Sequence, residues 1–190
     1  YFFLTLFLFF TNAWYLHSVP VTKVVSIDSL LKNSEKHWYS FPDSSIILAR
    51  EALQLTDTLR DKRHYSKALT SLGTAYYMKG NYSIGLHYFF KALQLDESQN
   101  EKQSVASDLT NIGNVFMVQG NLEKAYDFFA RSLDIKYALH DRTGTANTLL
   151  SIANLYIAQE KYDLALTHAR QALSVYDSIN DREGRVVIYT

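Results

Sequence analysis

The side chains best suited to proton transfer or metal ligation in this chain are six histidines, His17, His37, His64, His87, His140 and His168. They show no i, i+4 pairing and no HExxH pattern, so no zinc site is expected. There are no cysteines, which excludes disulfides, thiolate metal sites and a lipidated-cysteine anchor. Ser and Asp are common, but no spacing fixes a base beside a nucleophile. Gly73, Gly80 and Gly85 do not form a phosphate-binding loop. The more orderly chemistry is that of amides and hydroxyls. Ser71, Asn111 and Ser151 recur at intervals of 40 residues, as do Thr74, Asn114 and Asn154. Thr70 and Thr110 continue as Leu150, and Tyr77 and Met117 as Ile157, at the same interval. Asn carries two donors and an acceptor, so the capacity on offer is hydrogen bonding and not bond cleavage. No catalytic residue, metal or cofactor is expected in the region.

The elements that position these groups follow from the same interval. Leu72-Gly73 recurs as Ile112-Gly113 and Ile152-Ala153, and Ala92-Leu93 as Ser132-Leu133 and Ala172-Leu173. Gly80-Asn81-Tyr82 recurs as Gly120-Asn121-Leu122 and Glu160-Lys161-Tyr162. Acids recur at Asp61, Glu101, Asp141 and Asp181. Within each unit, apolar residues fall at helical spacing on both sides of the Gly-Asn break, so each unit is two helices. Gly73, Gly113 and Ala153 stand where paired helices come closest, with Gly85, Ala125 and Ala165 opposite. The large residues Tyr76, Phe116, Tyr156, Phe89 and Phe129 fill the remaining space. Asn81-Tyr82-Ser83 matches a glycosylation sequon, but Asn81 is better explained by the turn.

This pattern resembles the tetratricopeptide repeat: large-Gly-x-x-aromatic on the first helix, small-x-x-x-aromatic-x-x-Ala on the second. The copy at Ala153 departs from it, as does Ala169, where an aromatic is usual. The period of 40 matches the longer-helix variant of the family. The resemblance implies an all-α fold, a right-handed α-solenoid of antiparallel helix pairs. It also implies a concave groove lined by the first helices. Spacing from the glycines puts Thr70, Ser71, Thr74, Tyr77, Thr110, Asn111, Asn114, Met117, Ser151 and Asn154 on that groove. Longer-repeat members use Asn to hold the backbone of an extended peptide, which implies a protein or peptide partner here. The competing reading is that Asn114 and Asn154 bond neighbouring helices and bind nothing. A carboxylate clamp of Lys and Arg is missing.

The chain has 190 residues, 19 Lys plus Arg and 19 Asp plus Glu, so no global field steers it to nucleic acid or anionic membrane. Residues 1–20 stand apart. Tyr1–Phe10 is almost wholly apolar and is followed by Thr11-Asn12-Ala13, as in a signal peptide or membrane anchor. Residues 24–61 are a degenerate first unit, with Phe41-Pro42-Asp43-Ser44 opening its second helix. Units then span 62–101, 102–141 and 142–181, and 182–190 begin a further, truncated repeat, which implies a longer natural protein. Together these features resemble the extracytoplasmic sensory region of bacterial membrane signalling proteins. The resemblance implies a ligand- or partner-sensing scaffold, exported or periplasmic, with a histidine kinase or regulator downstream. The alternatives are a stand-alone exported scaffold and a cytoplasmic adaptor. Membrane contact is expected only through the N-terminal segment or a span beyond this sequence.

Overall fold

The recurring acids and glycines mark helix ends. In the computed structural model, which describes residues 26–56, 61–179, 181 and 184, these ends delimit eight helices and no strand is formed. They are α1 (Ile27–His37), α2 (Pro42–Leu55), α3 (Lys62–Met78) and α4 (Tyr82–Ser98), then α5 (Lys102–Val118), α6 (Leu122–Ala138), α7 (Arg142–Ala158) and α8 (Tyr162–Ser178). Asp61 and Asp141 are N-caps, each accepting the backbone N–H of the residue three further on, and Asp181 makes the same contact with Gly184. Pro42 supplies the first residue of α2. Gly80 and Gly120 end α3 and α5 with φ of 81° and 77°, and Glu160 takes the same left-handed place after α7 at 59°. The N–H groups of Asn81, Asn121 and Lys161 then reach back to the carbonyls of Tyr76, Phe116 and Tyr156, each at 2.9 Å. Residues 1–20, read as a signal peptide or anchor, lie outside the described residues, as do residues 182–190 except Gly184. No helix among the described residues is long and apolar enough to cross a membrane.

Consecutive helices pack as hairpins, and each hairpin packs on the next. The first helices of successive units also touch, α1 on α3, α3 on α5 and α5 on α7, whereas no comparable contact links the second helices. The chain therefore curves with α1, α3, α5 and α7 on its inner face. This is the α-solenoid expected from the repeat. Leu72, Ala92, Ile112, Ala125, Phe129, Ile152, Ala165 and Ala172 are all buried. Tyr76 stacks on Tyr88, Phe116 on Phe128 and Tyr156 on His168, with ring centroids 5.7, 5.5 and 5.3 Å apart. Offset pairs of this kind add to the area they bury.

The glycines of the first helices have a specific partner. A Cβ at Gly73 would lie 2.6 Å from the Phe89 ring, and one at Gly113 2.6 Å from the Phe129 ring. In the last full unit the equivalent ring is gone, because Ala169 replaces Phe. The glycine position can then carry the methyl group of Ala153, which is 3% exposed. The departures at 153 and 169 are thus one compensated change.

Candidate functional site

The inner face of α3, α5 and α7 carries the polar series read from the sequence. Asn111 and Asn114 are half-buried there and Asn154 is exposed. None of the three amides forms a side-chain hydrogen bond with another described residue. The neighbouring hydroxyls are more committed. Thr74 Oγ1 donates to the Thr70 carbonyl at 3.0 Å and Ser151 Oγ to that of Asn147 at 3.3 Å. Tyr77 and Met117 are half-buried and pack against the core, Tyr77 beside Tyr82 and Met117 near Phe129 and Leu155. They contribute packing as well as surface.

Ser71 and Thr70 open into a cavity of about 190 Å³ between α1, α3, α4 and α5. Its walls include Trp38 at the end of α1, Ser66 of α3, Asp96 of α4 and Asp108 of α5. Ser66 Oγ donates to Asp96 Oδ2 at 2.7 Å, and Thr70 Oγ1 to Asp108 Oδ1 at 3.0 Å. Both carboxyls are buried, Asp108 to 1% exposure, and they meet each other across the cavity. Asp108 Oδ2 is buried and receives no donor from an N–H or hydroxyl group. Burial pushes the Asp108 carboxyl up to about 8, with the Asp96 charge adding to it and the Thr70 bond opposing it. Burial likewise raises Asp96, against the Ser66 bond. Two adjacent desolvated carboxyls cannot both ionise at neutral pH, so the pair holds one proton.

One repeat further on, Lys136 occupies the place of Asp96 in the second helix. Its ammonium donates to Thr110 Oγ1 at 3.0 Å and to Thr148 Oγ1 at 2.7 Å, and burial lowers its pKa. Thr110, a groove candidate, is thereby bound to the interior. Tyr176 holds the same place in the last unit and its hydroxyl bonds Asn147. The two threonine hydroxyls also donate to the carbonyls of Ala106 and Gly144, so they do not depend on the lysine. Lys136→Met keeps the volume and removes a buried cation. Thermal melts are expected to show stability unchanged or raised by about 1 kcal/mol; a loss above about 2 kcal/mol would mean the ammonium bonds outweigh their desolvation.

His64 lies between two carboxylates. Nδ1 is 2.7 Å from Asp61 and Nε2 3.0 Å from Asp28 Oδ1, which fastens α1 to the first turn of α3. The bond to Asp61 is the main cause of its raised pKa, and the same bond lowers Asp61. Both ring nitrogens are taken by acids, so neither is left to activate a nucleophile. No three His, Asp or Glu among the described residues are placed to hold a metal ion.

Asp96, Asp108 and Lys136 were not among the residues singled out from sequence. The signal available was a charge on a buried stripe: Asp96, Lys136 and Tyr176 each follow the small residues Ala92, Ser132 and Ala172 by one helical turn.

Residues 104–178 match the tetratricopeptide repeat family. No curated protein matches the chain in sequence. Among solved structures it is similar to aspartyl phosphate phosphatase F from Bacillus subtilis, at 17% identity and TM-score 0.75, over 86% of this chain and 43% of that one. It is similar also to a Rap protein complexed with Competence and Sporulation Factor, at 16% identity and TM-score 0.77, over 85% of this chain and 46% of that one. The nearly identical TPR-like repeats of a kinesin light chain from Podosopora anserina align at 13% identity and TM-score 0.67, over 85% and 81% of the two chains. The chain spans less than half the length of the first two structures. These likenesses are likenesses of fold. Residues 104–178 thus match tetratricopeptide repeats, and helix stacking of the same 40-residue period and the same fold runs along the described chain.

Proposed function

We propose that the chain is a scaffold that binds a peptide or protein segment along the inner face of α3, α5 and α7. The observation that carries this reading is the set of Asn111, Asn114 and Asn154 amides, which have no hydrogen-bond partner among the described residues. An extended backbone offers alternating donors and acceptors that such amides can satisfy. The Rap protein complexed with a factor has the same fold, which is consistent with an inner face that takes a partner. No hydrolase or transferase turnover is expected of the region. Nucleic acid is not an expected partner, because the chain is neutral overall.

The finer reading places this scaffold in the extracytoplasmic sensing region of a bacterial signal-transduction protein, through the apolar residues 1–10 and the Asp-Arg-x-Gly linkers. Alkaline phosphatase fused after the repeats is expected to be active in cells; an inactive fusion at normal protein level would sink export. Binding is tested on an array of ten-residue peptides. Asn114→Ala with Asn154→Ala is expected to weaken capture at least about tenfold, at about 1 kcal/mol per lost hydrogen bond, with helicity intact. Unaltered capture would remove the groove assignment.

A further inference from the structure

The cavity between α1, α3, α4 and α5 is built unlike the rest of the inner face. Elsewhere that face offers neutral amides, hydroxyls and apolar groups. Here two buried carboxyls stand side by side, and the hydroxyls of Ser66 and Thr70 already donate to them. Asp108 lines the cavity with only 1% exposure, and its Oδ2, shielded from solvent, accepts from no N–H or hydroxyl and has the Asp96 carboxyl as its neighbour. The Trp38 indole N–H lines it too, buried and without an acceptor. The wall therefore holds one donor that the fold does not use, beside a carboxyl pair whose only other donors are two hydroxyls. The charged groups around the carboxyls are Glu35 of α1, Lys67 of α3 and Glu101 at the start of α5. Lys67 is exposed and makes no ion pair with either carboxyl. With both aspartates ionised the surroundings are net acidic, and Lys67 alone does not balance them.

We propose that this cavity receives the guanidinium side chain of an arginine in a groove-bound peptide, set against the Asp96 and Asp108 carboxyls. The proposal rests on the peptide-binding reading and names what one subsite of it selects. A guanidinium suits the wall better than an ammonium because its planar fork of five donors can serve two carboxylates at once. About 190 Å³ accommodates a side chain and little more, and the indole N–H can donate to a carbonyl of the same residue. The balance is simple. The cation enters, one proton leaves the carboxyl pair for solvent, and the cavity goes from one shared charge to a compensated pair. Binding is then linked to pH, tightening by up to about tenfold per pH unit until the pair is fully ionised.

The test uses the chain itself and N-acetyl-arginine methylamide, with N-acetyl-citrulline methylamide as the uncharged isostere. Titration calorimetry in buffers of different ionisation enthalpy is expected to show weak saturable binding of the arginine probe. The release should be about one proton per probe near pH 6.5, vanishing above pH 9. The citrulline probe is expected to bind at least about tenfold more weakly. Asp108→Asn, checked for helicity, is expected to lose both the discrimination and the proton release, and Asp96→Asn provides the same reading if the first variant folds poorly. Equal binding of the two probes, or no binding of either, overturns the proposal. The peptide array separates this failure from failure of the groove. Capture that ignores arginine and is unaltered in Asp108→Asn ends the subsite and keeps the groove. An array that captures nothing beside a bound arginine probe ends the groove and keeps the subsite.

Discussion

Gly113→Leu is expected to lower stability by about 3 kcal/mol or more, as overpacking in a core that cannot yield. Even the first carbon of a side chain at 113 would stand 2.6 Å from Phe129 Cε1, and Phe129 is fully buried among Ala125, Ile152 and Leu155. Relief requires moving the ring, and the ring is what joins α6 to the next unit. In a stacked array such an injury spreads, because each unit is stabilised by its interfaces with its neighbours. At roughly 2–4 °C per kcal/mol, the melting midpoint should fall by about 6–12 °C or more. The equivalent position in the next unit sets the control. Ala153→Gly removes only a methyl group and meets no ring, since residue 169 is Ala, so its cost should stay near 1 kcal/mol. Gly113→Ala in a Phe129→Ala background should cost less than in the native chain, and the difference measures the Gly–Phe coupling. A Gly113→Leu melting curve that overlays the native one would show that α5 and α6 are not packed through this glycine.

What the sequence carried legibly was whatever depends on residues within one unit. Gly113, Phe129 and the turn at Gly120 belong to one hairpin, and the cap at Asp141 acts within the first turn of α7, so local spacing already encodes a close approach, a left-handed turn and a helix start. The departure at Ala153 and Ala169 was visible too, and only the ring distance explains why both change together. The site was less legible because its groups meet across units. Asp96 reaches Ser66 of its own hairpin but Asp108 of the next, and Lys136 joins Thr110 to Thr148. No local pattern states those partners; the spacing shows polar residues on a buried stripe but not what they meet. His168 has a packing role that its residue type does not announce. It takes the place of Tyr88 and Phe128 in the stacked aromatic series. Whether Asn114 and Asn154 are satisfied depends on the neighbouring helices, which the spacing of amides does not reveal.

The buried carboxyl pair should make the fold less stable as pH rises through neutrality, the reverse of ordinary acid denaturation. The sign follows from the pKa of Asp108, near 3.9 when unfolded and about 8 in the folded chain. Between those values the folded state holds a proton that the unfolded chain has lost, so stability falls with each step in pH and levels off above the folded value. Asp96 shares the proton, and the cavity is open to water. The loss from pH 5 to pH 9 is therefore expected on the order of 2–3 kcal/mol, below the full linkage. His64 moves stability the same way, because its raised pKa means its contribution is lost as pH climbs past it. His168 moves it the opposite way, its pKa being lowered by burial. Asp108→Asn isolates the pair. The Asn amide can donate to Asp96 as the acid proton does, at every pH. The variant should therefore match the native chain near pH 5 and exceed it at pH 9, by about 5–10 °C in melting midpoint. Parallel curves across that range would mean Asp96 and Asp108 share no proton in the folded chain. They would also remove the proton release expected on guanidinium binding while leaving the repeat architecture untouched.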